Sequence, residues 1–343
     1  VMRRRTVLLA SAAAMAVGLS GCGSDSLEAT GDLDEDKLTI YSAQHENLTE
    51  AWGKAFQEET GIEVQVRYGN DSSMGAQIVE EGESSPADVF LTENSPAMTT
   101  VQNAGLLAEV DGATIDQVED RFVPSSNEWV GIAARSTVLV YNPSMISEDE
   151  LPASIMDLAD EEYAGQWSAA AGGADFQAIV SAILQEEGEE ATAEWLAALK
   201  SDAKVYQNNI ATMKAVNEGQ SAMGIIYHYY WYRDQALEKV SSGNTALHYF
   251  RGQDPGAFVS VSGGGVVASS DRQEDAQAFL AYVTSPAGQE VLMTEDVKEY
   301  AVGKGDESDP ALPTVESLEP PDIDPFTLDQ QKVLDLMTEA GLL

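Results

Sequence analysis

Three short apolar runs separated by two helix-length segments constrain the fold of this chain more than any other feature. Leu38 and Ile40 alternate in Lys37-Leu-Thr-Ile-Tyr-Ser42, which reads as a strand. The next segment puts Leu48, Trp52, Ala55 and Phe56 on one helical face and stops before Gly61. Ile62, Val64 and Val66 alternate as a second strand. A helix over about 74–81 leads to a third strand, Asp88-Val-Phe-Leu-Thr92. A β-α-β-α-β series of this kind predicts an α/β lobe with parallel pairing. The β-rich run 129–141 is long enough to cross between lobes, and Asn142-Pro143 ends it. A second α/β series follows, with strands at 166–169, 204–206 and 222–227, and helices around 176–184, 195–199 and 210–218. The run Val259–Ala268 supplies a return crossing, 304–326 is an irregular Pro/Asp/Glu-rich excursion, and 327–343 is a closing helix. A globular part of about 300 residues suits two lobes better than one core.

The N-terminus carries an address. Arg3, Arg4 and Arg5 precede an apolar stretch from Val7 to Ser20, which is too short for a bilayer span. It ends in Leu19-Ser20-Gly21-Cys22, the pattern of a lipobox, with Cys22 the chain's one cysteine. Residues 1–21 are therefore expected to be a lipoprotein signal peptide, with Cys22 the lipidated residue. Residues 22–36 read as a flexible acidic tether. A single cysteine excludes a disulfide framework and a thiolate metal site. The formal net charge of −40 excludes nucleic acid and anionic surfaces as charge-matched partners. Its even spread reads as a solvated surface rather than a metal sponge.

In open α/β sheets, ligands bind beyond the carboxyl ends of strands. His45 follows the strand ending at Ser42, and Glu93 the strand ending at Thr92. Tyr229 and Tyr230 follow the strand ending near Tyr227. Two phenolates and a carboxylate carry three negative charges, which balance a trivalent cation, and anionic oxygen donors suit a hard ion such as ferric iron. Taken singly, these residues have plainer readings. His45 serves equally as a helix cap, and Tyr229-Tyr-Trp-Tyr232 as an aromatic patch sealing a strand end. Ala170-Ala-Gly-Gly-Ala-Asp175 and Gln207-Asn208-Asn209 both lie between a strand and a helix. There, free N–H groups and the helix dipole favour an anion, although a plain glycine turn has the same composition. Arg135 is the one well-placed cation of the crossing strand, available to an anion or to an interlobe ion pair.

The segments Ile40-Tyr-Ser-Ala-Gln-His45, Ala87-Asp-Val-Phe-Leu-Thr-Glu93, Val138-Leu-Val-Tyr-Asn142 and Tyr229-Tyr-Trp231 resemble those of the bacterial periplasmic ferric-binding proteins. Asp309-Pro-Ala-Leu-Pro313 and Glu339-Ala-Gly-Leu-Leu343 extend the likeness to the C-terminus. The resemblance implies a two-lobed periplasmic-binding-protein fold of the α/β class, with a ligand cleft between lobes joined by β crossover strands. Lobe 1 would comprise 37–137 with 260–310, and lobe 2 138–259 with 311–343. It implies metal ligation by His45, Glu93, Tyr229 and Tyr230. It also implies a synergistic anion, phosphate or carbonate, on Gly172, Gly173, Ala174, Asn209, Asn94 and Arg135. Two positions depart from the family pattern: Gly172 stands where a serine often begins the anion turn, and Tyr227 where an asparagine is common. The implied partners are ferric iron and the permease and ATPase of an ABC importer. The implied form is a monomer anchored outside the cytoplasm by its lipid. The alternative is a binding protein for an organic or oxyanion ligand such as a phosphonate, thiamine or a polyamine. No Gly-x-Ser-x-Gly or His-Glu-x-x-His pattern supports an enzyme.

Overall fold

The computed structural model describes residues 26–29, 31–294 and 296–343. The expected signal peptide and Cys22 lie outside the described residues. The strands are β1 Leu38–Ser42, β2 Val64–Tyr68, β3 Val89–Leu91, β4 Trp129–Tyr141, β5 Trp167–Ala169, β6 Lys204–Val205, β7 Met223–Tyr227, β8 Ala246–His248 and β9 Val259–Val266. The helices are α1 Glu46–Thr60, α2 Asp71–Glu81, α3 Ser95–Asn103, α4 Gly112–Ile115, α5 Ala174–Asp202, α6 Asn209–Asn217, α7 His228–Ala236, α8 Gln273–Val283, α9 Pro286–Glu290 and α10 Gln330–Glu339.

Hydrogen bonding links the strands in the order β2-β1-β3-β9-β4-β7-β5-β6, with β8 also on β4. β1 runs parallel to β2 and β3, as the opening alternation predicts. The crossover is a division of labour along β4. Its first part, Trp129–Ser136, pairs antiparallel with β9 in the first lobe. Its last part, Thr137–Tyr141, pairs antiparallel with β7 in the second. All thirteen β4 residues are buried, which is why the run reads as continuous apolar sequence rather than alternation.

Two main cores correspond to the two lobes. Leu38, Ile40, Trp52, Phe56, Phe279 and Leu280 belong to the first. Trp167, Phe176, Trp195, Ile225 and Tyr227 belong to the second, where Val333, Leu336 and Met337 of α10 close it. The hand-over expected at residue 311 comes later. Leu312, Val315 and Leu318 still bury themselves in the first core, and Leu328 then packs on Ala178 and Ala182 of α5. α5 breaks at Gly188, whose φ of +82° only glycine adopts freely. The span is thus two helices meeting at a sharp bend, as the sequence predicts.

Two further differences bear on function. Tyr229 and Tyr230 are not a strand extension: the strand ends at Tyr227 and the pair opens α7. From His228 the spacing of the aromatic run is helical. Second, part of the segment expected as a free tether is in contact with the first lobe, at Leu27, Asp34 and Asp36.

Candidate metal centre

His45 is the N-cap residue of α1, just beyond β1. Its backbone N–H donates to Gln44 Oε1 at 2.8 Å, and Gln44 Nε2 donates to Ser262 Oγ at 2.9 Å. Glu93 follows β3, and its backbone N–H donates to Asp71 Oδ1 at 2.9 Å. Ser262 Oγ donates to the Glu93 carbonyl at 3.0 Å. Both first-lobe side chains thus stand on loops whose backbone is tied to neighbouring elements. Tyr229 and Tyr230 come from the other lobe, on the first turn of α7, with their rings 4.2 Å apart between centroids.

Three of the expected ligands meet in one place. Tyr229 OH lies 2.8 Å from His45 Nε2 and donates to Glu93 Oε1 at 2.9 Å, while His45 Nε2 and Glu93 Oε1 are 3.1 Å apart. For metal–ligand bonds of about 2.1 Å, neighbouring vertices of an octahedron stand about 3 Å apart. The three donors already have that spacing. Tyr230 joins them through a carboxylate that the sequence reading did not select, since its OH donates to Asp175 Oδ2 at 3.2 Å. Among the described residues, no group of three or more His, Cys, Asp or Glu is arranged to hold a metal ion. The phenols are what single this cluster out as a candidate metal centre.

Asp175 is the residue that reading the sequence missed. It is buried in the first turn of α5 and collects donors from both lobes: Asn94 Nδ2 at 3.0 Å and Asn209 Nδ2 at 2.7 Å. Asn94 in turn donates to Asp71 Oδ2 at 3.2 Å and accepts from Ser260 Oγ at 2.7 Å and Tyr227 OH at 3.3 Å. A signal was available, because a carboxylate in a helix's first turn is favoured by the dipole, and Asp175 ends the glycine loop already singled out. Of the remaining anion candidates, Gly173 is the N-cap of α5, and its own N–H is taken by Ala170 O at 2.9 Å. Ala174 opens that helix, and Gly172 is exposed. Arg135 lies beside the site with its Nε and Nη1 buried and without a partner among the described residues. Its fully buried guanidinium pairs with the equally buried Glu299 and lies 5.6 Å over the Tyr229 ring.

The electrostatics follow from burial. Desolvation, then the charges of Asp175 and Glu93, push the Tyr229 and Tyr230 phenols well above their usual range, so both hold protons in the metal-free site. Burial also works to raise Glu93, but His45 beside it, then Arg135 and the Tyr229 hydroxyl, hold it far below the ordinary carboxylate range. Burial opposes charge on His45, and the Glu93 carboxylate outweighs it and raises the imidazole. Burial and the Glu93 charge lift Asp71 to about 8 and Asp175 to about 7.

Residues 42–290 match the model of the bacterial extracellular solute-binding protein family. The chain belongs to that family. It is 51% identical over 336 residues to the Fe(3+)-binding periplasmic protein of Serratia marcescens, covering 98% of this chain and 96% of the relative. It is 32% identical to the major ferric iron-binding protein of Neisseria meningitidis serogroup B, over 89% and 93% of the two chains. Among solved structures, iron-bound HitA from Pseudomonas aeruginosa superposes with a TM-score of 0.85 at 40% identity, covering 89% of this chain and 99% of that one. These likenesses bear out the resemblance and the two-lobed fold read from the sequence, and they are likenesses to binding proteins rather than enzymes.

Proposed function

We propose that this chain captures ferric iron as cargo between its lobes, outside the cytoplasm, and presents the closed, loaded form to the permease and ATPase of an ABC importer. The observation that carries the reading is the mutual 2.8–3.1 Å spacing of His45 Nε2, Glu93 Oε1 and Tyr229 OH, drawn from opposite lobes. The names of the Serratia, Neisseria and Pseudomonas relatives support it. Tyr229 and Tyr230 bind as phenolates, Glu93 as a carboxylate and His45 through Nε2. Because the phenols are protonated before loading, iron displaces one proton from each. Acid returns those protons and favours release. Closure is the binding event, since neither lobe alone offers a full set of donors.

Asp175 alters the part played by the anion. The amides of Asn94 and Asn209, expected to hold phosphate or carbonate, both donate to its carboxylate. Asp175 therefore supplies from within the chain the negative oxygen that an external anion would bring. Phosphate or carbonate then competes for the same donors. Lipidation at Cys22 keeps the monomeric protein at the membrane, and nucleic acid is no partner of so acidic a surface.

Titration of the purified protein with ferric citrate, followed in the visible region, tests the reading. A phenolate-to-iron charge-transfer band that saturates at one iron per chain is expected. A folded protein that stays colourless with excess iron would mean that the tyrosine pair is packing and the ligand is organic.

A further inference from the structure

The segment just ahead of the first lobe is held more closely than its composition suggests. β2 is the outermost strand of the sheet, and Glu28 bridges to Val66 beside it. Val66 N–H donates to Leu27 O and Ala29 N–H donates to Val66 O, both at 2.8 Å. On the other side, Glu50 Oε1 accepts from Leu27 N–H at 2.6 Å and from the Ser26 hydroxyl at 3.1 Å. The Leu27 side chain packs on the first core over Gly53, in the middle of α1. A Cβ at position 53 would lie 2.4 Å from Leu27 Cδ1. Glycine inside a helix costs about 1 kcal/mol relative to alanine, so the bare position needs a reason, and Leu27 is that reason. Further along, Gln65 clamps the backbone of Asp34 from both sides, at 3.0 and 2.8 Å, and Arg272 Nη1 donates to Asp36 O at 3.0 Å.

We propose that residues 26–29 and 31–36 form a strap bound to the outer edge of lobe 1, and that this strap seats the α1–β2 edge against the lipid bilayer. The membrane part of the proposal rests on the reading of Cys22 as lipidated; the strap itself does not. From Cys22 to Ser26 is four residue steps, a reach of roughly 14 Å at most, whereas a free run to Lys37 would reach roughly 50 Å. Strapping therefore turns a leash into a short mount. Eight residue steps along α1 separate Gly53 from His45, about 12 Å along the helix axis, so the iron site stays near the mounted edge. Pairing also covers part of an edge strand that would otherwise expose its backbone.

The test uses the full-length lipidated chain in vesicles of zwitterionic phosphatidylcholine, because so acidic a surface is not matched to anionic lipid. Hydrogen exchange read by peptide mass should show the amides of Leu27, Ala29 and Val66 slowed about 100-fold relative to an unstructured peptide. Gly53→Leu, and independently Leu27→Asp, should return the Leu27 and Ala29 amides to free-peptide rates while iron binding persists. With the one native cysteine acylated, single labels at Glu58→Cys on α1 and at Val205→Cys on β6, the far edge of the sheet, report depth by lipid-borne quenchers. The Glu58 label should be quenched several-fold more, and either strap variant should erase the difference. Free-peptide exchange at Leu27 in the unaltered protein, or equal quenching of the two labels, would overturn the proposal. An acyl-free mass at Cys22 would instead sink the lipidation reading and leave the exchange result standing.

Discussion

The two halves of the site are built differently. In the first lobe, His45 and Glu93 sit on loops held through their own backbone, by Gln44 and by Asp71 and Ser262. In the second, Tyr229, Tyr230 and Asp175 occupy first turns of helices; Tyr229 and Asp175 reach across the cleft to Glu93, His45 and Asn94, while Tyr230 and Asn209 bond Asp175 within the lobe. One half is preformed; the other is completed by closure. The first lobe should therefore determine where iron lands, and the second how firmly it is kept. Asn94 joins the halves, since one amide nitrogen donates both to Asp71 of its own lobe and to Asp175 opposite.

The largest effect should come from the second lobe. Tyr229→Phe removes the oxygen that touches both His45 and Glu93. Leaving a buried charged site one partner short costs about 3–5 kcal/mol, roughly a hundredfold to several thousandfold in iron affinity. Competition against citrate measures it, and thermal unfolding of the iron-free variant should change little by comparison. Tyr230→Phe should follow closely and weaken the visible band. Affinity unchanged in Tyr230→Phe would remove that phenol from the metal.

Next in size is Asp175→Asn. It keeps a side chain within reach of Asn94 and Asn209 but removes the charge, and affinity should fall about tenfold to a hundredfold in buffer free of phosphate and carbonate. Added phosphate should restore part of the loss in the variant and little in the parent. Asp71→Asn acts on the preformed half. With one carboxylate oxygen replaced by a donor, the Glu93–Asn94 loop loses an acceptor, and iron should bind about tenfold more weakly. The loss should fall on the association rate rather than on dissociation, which would separate the two halves kinetically. Equal effects on both rates would collapse the distinction between them.

The smallest effect is a pH slope. Asp71 and Asp175, raised to about 8 and about 7, hold protons in the folded state that the unfolded chain has already lost above pH ~4. Their contribution therefore falls as pH rises from ~4 through their folded values. His45 is raised as well, so its contribution is full below pH ~6.5 and is lost above its folded value. Glu93, lowered, contributes a constant amount above pH ~5. The iron-free protein should accordingly lose thermal stability between pH 5 and 8.5. Iron affinity should rise over the same range, because loading releases phenolic protons. A flat thermal profile, or one that rises with pH, would contradict the burial of these carboxyls.

How much of this was legible in the sequence depends on the kind of signal. The strand–helix alternation and the continuous apolar run of β4 announced the lobes and the crossover, because burial on one or both faces leaves a period in the residues. His45 and Glu93 were found because a strand end is visible and the residues beyond it face the cleft. Tyr229 and Tyr230 stood out as an adjacent pair, yet their helical setting did not, since Gly224–Tyr227 and His228–Tyr232 form one aromatic, apolar run with no break. Asp175 was hidden among 58 acidic residues; only the convergence of Asn94, Asn209 and Tyr230 sets it apart, and convergence is tertiary. Leu27 was obscured by its acidic surroundings for a related reason. Its pocket is the missing side chain of Gly53, twenty-six positions away.

The central claim is that iron sits between His45, Glu93, Tyr229 and Tyr230, with Asp175 in the place of an external anion. A crystal structure of the protein loaded with iron, in turn without phosphate or carbonate and with each present, tests it most directly. Iron bound to both phenolates, Glu93 and His45, with Asn94 and Asn209 still donating to Asp175 in every condition, is the predicted result. Phosphate or carbonate lodged between Asn94 and Asn209 with Asp175 turned away, or iron outside this cluster, would contradict the account.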